Sequence, residues 1–352
     1  MTERYAADDL IAYAEALFAA AGLDADKAAV VAPLMVEADL MGHTTHGLQL
    51  VPPYLAALAD GSMTASGQPA VLADRGPVVS WDGRRLSGVW LTAAAVDLAV
   101  ERARLYGTCT VSIRRAHHIA CLAAFLERAT RHGMMVQLAC SDPSVASVAP
   151  YGGTRAVYTP DPVAVGIPTS GDPILVDISA SITTNGLTGR LHKEGRKLDH
   201  EWVIDADGNP STDPAVLFTD PPGTILPVGG IDHGHKGYGL ALIVEALTQG
   251  LAGHGRADPA EGWGAGVFVQ VWDPTAFAGV EEYTRQTDWL AQACRGNPPR
   301  PGVDRVRLPG DGALARRRAA LEHGVTLYPG IVDGLKGWAG KLGVAAPKRL
   351  AG

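Results

Sequence analysis

The sequence predicts an α/β protein whose helical ends enclose a strand-bearing middle. Three observations carry this. Apolar residues recur at helical spacing up to about residue 60 and again after residue 312. From Val71 the spacing shortens to the alternation of strands. A strand, a helix and a strand then follow in succession between Thr108 and Ala139, a βαβ-type unit.

In order, residues 6–22 form a helix stopped at Gly22. Asp24 is placed to cap a second helix running to about Leu40, and a third covers 50–58, starting near its prolines. Residues 71–83 are short strands joined by turns, and Trp90 to Tyr106 is again helical. The strand Thr108–Ile113, a helix from about Ile119 to His132 and the strand Met134–Ala139 make up the βαβ-type unit. Ala164–Ile167 and Ile174–Asp177 are short strands separated by Pro168 and Gly171, and 203–214 is a turn-rich loop. Gly264–Trp272 alternates as a strand. A Pro-, Gly- and Arg-rich loop at 295–310 leads into a last pair of helices.

At 352 residues the chain holds two domains or one large α/β module. Its 47% apolar and 19% charged content is that of a soluble globular protein. The net charge of −7 and the lack of a basic stripe speak against nucleic acid. Arg316, Arg317 and Arg318 are expected on a solvated helix face. The four cysteines have no metal or redox spacing; with no signal peptide they are expected to be reduced thiols in a cytoplasmic protein. No apolar run approaches the ~20 residues of a membrane span.

Between Asp232 and Gly255 a glycine-rich turn carries Lys236 into a long apolar run. Leu240, Ile243, Val244, Leu247 and Leu251 share one helical stripe, expected to face inward, and Gly253 and Gly255 are stop signals. Such a turn offers backbone N–H groups, a helix dipole and a cation to one anion. A buried helix entered through a tight turn, with Lys236 solvated, explains the same pattern. No G-x-G-x-x-G lies between a strand and a helix, and there is no Walker-type loop. Any nucleotide must be held in another way.

The histidines carry most of the chemical information. His43 and His46 stand in GHTTHG, His117 and His118 lie between a strand and a helix, and His233 and His235 flank the glycine turn. A positioned imidazole is the commonest proton donor and acceptor near neutral pH. The same four histidines of the first two pairs are also conceivable zinc ligands, although no carboxylate or cysteine stands at a recognised spacing. Asp177, at a strand end before Ser179 and Ser181, suits a ribose or an amide of a ligand, or equally a helix cap.

Taken together, these segments resemble the type 2 malate/L-lactate dehydrogenase family, which includes ureidoglycolate and sulfolactate dehydrogenases and reductases of cyclic imino acids. The matching stretches stand in family order: THGLQLVPPYLAALADGSM at 45–63, the histidine junction at 115–120, APYGG at 149–153, DPVAVGIP at 161–168, LVDISAS at 175–181, WVIDADGNPSTDP at 202–214, LPVGGIDHGHKGYGLAL at 226–242 and LPGD at 308–311. The resemblance implies a fold that is not a Rossmann domain: a helical part built from both ends (1–70 and 312–352) on a mixed-sheet domain (71–311). It also implies a homodimer acting on a small molecule with NADH or NADPH, the nicotinamide lying near the subunit interface.

By position, His118 matches the family histidine that exchanges a proton with the substrate, and His46 and Thr45 match residues lining the site. Ser141, Asp177, Ile178, Ser179 and Lys236 match cofactor positions, as do Pro309, Gly310 and Arg316 near the end; no metal is implied. One departure stands out. Where the family has an arginine four residues after the histidine of its S-H-G motif, a natural clamp for a carboxylate, this chain has Leu50. The family's N-S-x-H-F-G is Arg115-Ala116-His117-His118-Ile119-Ala120 here, and its T-N-P is Pro160-Asp161-Pro162. Either another cation (Arg114, Arg115, Arg190, Lys193 or Arg196) takes the carboxylate, or the substrate is a cyclic imine or a larger keto compound. A catalytically degraded scaffold of the same fold and a zinc hydrolase are the rival readings.

Overall fold

The computed structural model describes residues 3–259 and 262–350. The chain runs α1 (Ala7–Ala20), α2 (Ala25–Met41), α3 (Val51–Ala59), β1 (Ala70–Asp74), β2 (Val78–Asp82), α4 (Gly88–Tyr106), β3 (Thr108–Ala116), α5 (Ala123–Thr130), β4 (Met135–Ser141), β5 (Pro162–Ile167) and β6 (Ile174–Ser179). It continues with α6 (Asn185–Lys193), β7 (Val203–Ile204), β8 (Pro210–Ser211), β9 (Thr224–Ile225), α7 (Gly230–His233), α8 (His235–Glu245), β10 (Ala265–Trp272), α9 (Val280–Arg295), α10 (Asp311–His323) and α11 (Ile331–Leu342).

A seven-stranded mixed sheet, ordered β1-β2-β3-β10-β4-β5-β6, forms the centre. The strand β10, AGVFVQVW, is antiparallel to both neighbours and nearly all of it is buried. A strand covered on both faces is apolar throughout, and its sequence shows this. Because β10 inserts between them, β3 and β4 are not adjacent, which corrects the βαβ-type unit expected over 108–139. The parallel neighbours are β2 and β3, connected through α4. Small residues on α4, Ala93, Ala95, Ala99 and Ala103, are fully buried and let that helix lie close on the sheet.

Helices from the two chain ends pack together: α2 on α1 and α10, and α11 on α1 and α3. Their apolar faces join the sheet in one continuous core, from Leu10 and Leu17 to Val111, Val269 and Leu335. A second, smaller cluster around Val148, Tyr158, Ala180 and Ile225 lies under the three-stranded sheet β8-β7-β9. That small sheet occupies the stretch read as a loop at 203–214. Among the described residues no helix is long and apolar enough to cross a membrane, and all four cysteines are free thiols.

Several local expectations change. Asp24 sits at the N-cap of α2 without a side-chain cap bond, its carboxylate instead meeting Lys27 at 2.9 Å. The helix expected from Ile119 starts at Ala123, because the backbone of 119–122 is drawn into the site below. The stripe expected to face inward on α8 does so only in part: Val244 is buried and Leu240 and Leu247 pack half-buried on the core, whereas Ile243 and Leu251 are exposed. The helix also widens into a π-helical turn at Ala246–Gly250, which rotates the face beyond it. Of the arginines 316–318, expected on a solvated face, Arg316 and Arg318 are exposed and Arg317 is half-buried, and each has a partner. Arg316 donates to the Met41 carbonyl at 3.0 Å, Arg317 bridges Glu37 and Glu127, and Arg318 pairs with Asp172. Helices α6 and α9 carry no strong local signal in the sequence.

Candidate active site

At the C-terminal end of β3 the chain turns sharply, with Arg115 and Ala120 at positive φ (53° and 60°). This turn presents His118. Its Nδ1 accepts a hydrogen bond from the Ala120 backbone N–H at 3.2 Å and lies 2.6 Å from the Tyr54 hydroxyl. An Nδ1 that accepts from a fixed backbone N–H carries no proton, so the ring proton sits on Nε2. Tyr54 is fully buried on α3, and its hydroxyl also reaches the His118 carbonyl at 3.3 Å.

His46 comes from the loop between α2 and α3. Thr45 Oγ1 lies 2.8 Å from its Nδ1, and its ring stacks 6.2 Å from that of His118 at an interplanar angle of 21°. The loop is braced from below by Asp39, whose carboxylate accepts from the Leu48 N–H at 2.7 Å. Gly47 is required there: a Cβ would stand 2.3 Å from Asp39 Oδ2. Trp263 and His117 close the inner side, their rings 5.2 Å from His118 and 5.4 Å from Tyr54 respectively.

Burial sets the electrostatics. Desolvation lowers His118 to about 4, and lowers His46 to about 4 with smaller electrostatic contributions from His118, His43 and Arg190. His117 falls to about 3, chiefly by burial. Both site imidazoles are therefore neutral at pH 7 in the ligand-free protein. Asp39 moves the other way: burial raises it to about 7, against the pull of the Leu48 N–H and Arg190.

Beside this pair opens a cavity of about 260 Å³ lined by His43, Asp177, Ile178, Arg307, Pro309, Gly310 and Arg316, among others. His43 joins it to the histidine pair, its carbonyl accepting from the His46 N–H at 2.8 Å. Helix α10 starts here with Gly310 at φ +94° and no side-chain cap, and Gly310, Gly312, Arg307 and Arg316 line the cavity at its N-terminus. A Cβ on Gly310 would meet the backbone of Leu175 at 2.9 Å. The uncapped helix start and two guanidinium groups suit phosphate, and the Asp177 carboxylate suits ribose hydroxyls or an amide. A dinucleotide therefore fits the donor set.

Of the residues singled out in the sequence, the structure brings His46, Thr45 and His118 together, and Asp177, Ile178, Pro309, Gly310 and Arg316 together next to them. Ser141 is elsewhere in role: it is buried, with its hydroxyl donating to Glu245 at 2.7 Å and accepting from Gln249 and Arg256. Ser179 donates to the Ser181 carbonyl. Lys236 is exposed at the start of α8, outside the cavity lining. Leu50 is half-buried and packs on the core. The paired histidines do not assemble into a zinc site. The one close group of three donors among the described residues is His43, Cys121 and Asp177, and there the thiol lies 3.9 Å from Asp177, which also accepts from the Ala123 N–H at 2.9 Å. Tyr54 and Trp263 escaped sequence reasoning; a tyrosine in the helix that follows the His46 loop, and a tryptophan between glycines before a strand, were the available signals.

The family model described as malate/L-lactate dehydrogenase matches residues 5–336. The chain belongs to that family. It is an NAD(P)-dependent dehydrogenase of the type 2 malate/L-lactate class. Among curated relatives, an L-lactate dehydrogenase of Cupriavidus necator is 32% identical over 338 residues, covering 94% of this chain and 95% of that one. A (2R)-3-sulfolactate dehydrogenase (NADP(+)) of Chromohalobacter salexigens is 31% identical, covering 93% and 95%. Among solved structures, a dehydrogenase from Sinorhizobium meliloti superposes with a TM-score of 0.83 at 32% identity over 96% of this chain and 98% of that one. The delta1-piperideine-2-carboxylate reductase from Pseudomonas syringae gives 0.84 at 26% identity, covering 96% and 100%.

Proposed function

We propose that the enzyme transfers a hydride between a nicotinamide cofactor and C2 of a 2-oxo/2-hydroxy acid or a cyclic imino acid, with His118 as the acid/base. The observation that carries this reading is the Tyr54–His118–His46 arrangement opening beside the Asp177–Arg307–Arg316 cavity. The cofactor, held there by Asp177, Arg307, Arg316 and the start of α10, supplies or accepts the hydride.

The protein's own part is the proton. In the empty site His118 is neutral, with its proton on Nε2. An anionic substrate beside it counteracts the desolvation that keeps the ring neutral, so the ring takes up a second proton as substrate binds. Tyr54 accommodates both states. Its hydroxyl donates to the bare Nδ1; when Nδ1 is protonated it accepts, turning its own hydrogen to the His118 carbonyl at 3.3 Å. Nε2–H then protonates the oxygen or nitrogen that becomes negative as C2 is reduced, which leaves a neutral ring with its proton on Nδ1, accepted by Tyr54. In oxidation the ring starts in that tautomer, and the bare Nε2 removes the proton. His46, steered by Thr45, forms the opposite wall, and Trp263 with His117 keeps water from the reacting atoms.

Leu50 donates nothing to a carboxylate, which supports a substrate other than pyruvate or oxaloacetate, with an apolar body or an imine ring. The exposed apolar residues Leu242, Ile243 and Leu251 on and after α8 support a homodimer in which a second copy covers that face.

The test is binding of NADH and of NADPH to the purified protein by fluorescence or calorimetry. A screen of pyruvate, oxaloacetate, branched and aromatic 2-oxo acids and cyclic imino acids follows, with His118→Ala as the control. The expected result is tight binding of one reduced cofactor and turnover lost in His118→Ala. Efficient turnover of pyruvate or oxaloacetate would refute the non-standard substrate. No binding of either cofactor would leave the degraded scaffold standing. Lys236→Ala tests the glycine turn: unchanged cofactor affinity assigns the phosphates to Arg307, Arg316 and α10.

A further inference from the structure

The loop that carries His46 is braced by a cation that makes no ion pair among the described residues. Arg190, in the last turn of α6, reaches across to the loop that carries His46. Its Nη1 donates to Thr44 Oγ1 at 3.0 Å and its Nη2 donates to Gln49 Oε1. Its guanidinium lies over the ring of Tyr328, with the central carbon 3.7 Å from the centroid. Tyr328 is itself anchored by a hydrogen bond to Glu194. Among the described residues Arg190 makes no ion pair; both hydrogen-bonding partners are neutral.

The other cations considered for this role are committed elsewhere. Arg114 and Arg115 both bind Asp82. Arg196 pairs with Glu194 at 3.0 Å, and Lys193 is exposed in the last turn of α6. Arg190 is also the only one of the five whose charge is felt at both His46 and Asp39.

We infer that Arg190 receives the substrate's carboxylate, taking from α6 the role that Leu50 cannot perform. This rests on the hydride-transfer reading above and extends it to substrate recognition. A guanidinium has five N–H donors in one plane. Thr44 and Gln49 use two of them, which leaves three. The Tyr328 ring covers one face and, with the two hydrogen bonds, fixes that plane. A flat, charged, pre-oriented fork of this kind is the geometry that binds a carboxylate through two parallel bonds. The neighbourhood contributes one such fork and, at Leu50, an apolar surface. The substrate class that fits is a 2-oxo acid or cyclic imino acid with a single carboxylate and an apolar body, rather than a dicarboxylate.

The experiment compares Arg190→Gln and Arg190→Lys with the wild-type enzyme. Each is assayed on the best 2-oxo acid of a series from pyruvate to phenylpyruvate, on that acid's methyl ester, and for NAD(P)H binding. Replacing the fork with glutamine is expected to raise KM for the acid by about 100-fold, the loss that follows from a charge-assisted bidentate pair. The value of kcat is expected to stay within a few-fold. KM for the ester and affinity for the reduced cofactor are expected to be unchanged. Lysine, which keeps the charge and much of the stem, is expected to recover part of the acid affinity and none of its two-point geometry, and it serves alone if the glutamine variant does not fold. An acid KM within threefold of wild type in the variant that folds, or a wild-type enzyme that accepts ester and acid equally, overturns the assignment of Arg190 while leaving hydride transfer intact. A wild-type protein that binds no nicotinamide cofactor overturns the underlying reading, and the Arg190 assignment with it.

Discussion

Substituting Tyr54→Phe isolates the proton chemistry from the fold. Tyr54 is fully buried, and its ring packs edge-on against His117 at 5.4 Å and against Trp263 at 6.0 Å. Phenylalanine keeps those contacts and deletes one oxygen. What is lost is the 2.6 Å partner of His118 Nδ1. In the ligand-free enzyme the loss is small, because the Ala120 N–H still meets Nδ1 at 3.2 Å. In the reacting complex the ring carries a proton on Nδ1, and that proton then has no acceptor in a buried site. A hydrogen bond to a charged group is worth about 1.5–3 kcal/mol, so kcat/KM is expected to fall roughly 10- to 100-fold. The fall must be equal in the two directions, because the overall equilibrium is unaltered. The acidic limb of the kcat/KM profile is expected to move to lower pH, since protonated His118 has lost its support. Steady-state kinetics at several pH values, with NAD(P)H affinity as the control, measures all of this. A kcat/KM within threefold of wild type and an unmoved pH profile would refute the role assigned to Tyr54.

Two further outcomes follow from the same geometry. Replacing Arg316 with glutamine removes a guanidinium from the cofactor cavity, and NAD(P)H affinity is expected to drop about tenfold while salt dependence weakens; unchanged affinity would place the phosphates elsewhere. Asp161 is fully buried at φ +48°, and burial and the Glu245 carboxylate raise its pKa to about 8. The folded protein holds this proton more tightly than the unfolded chain, so the contribution is present at low pH and is lost as pH rises from about 4 to about 8. The loss is about 1.4 kcal/mol per pH unit. Asp161→Asn removes the titration and suits a left-handed backbone. Its melting temperature is expected to exceed that of wild type by a margin that grows between pH 5 and pH 8. A margin that stays flat over that range would show that Asp161 is not the titrating group.

The helical ends, the strands of the middle and the βα junction holding His118 were legible because each is written in local periodicity. His46, His118 and Asp177 could be named from sequence through short stretches in family order. The order of the strands could not, because β10 pairs with β3 and β4 across a long separation and every strand of the middle carries much the same apolar alternation. The inward stripe expected on α8 held only in part, at Leu240, Val244 and Leu247, for a related reason: periodicity identifies an apolar face without saying what covers it.

By itself, then, the sequence determined most of the helices and strands and the family, and named His118 as the candidate for proton exchange. Only the tertiary structure decided what surrounds that histidine. The Tyr54 hydroxyl reaches its Nδ1 from 64 residues away, and the Arg190 guanidinium reaches Thr44 from 146 residues away. A hydrogen bond over such a distance leaves no mark on local spacing; it exists because burying the apolar faces of α3, β3 and their neighbours in one core fixes where the polar groups at their ends must meet.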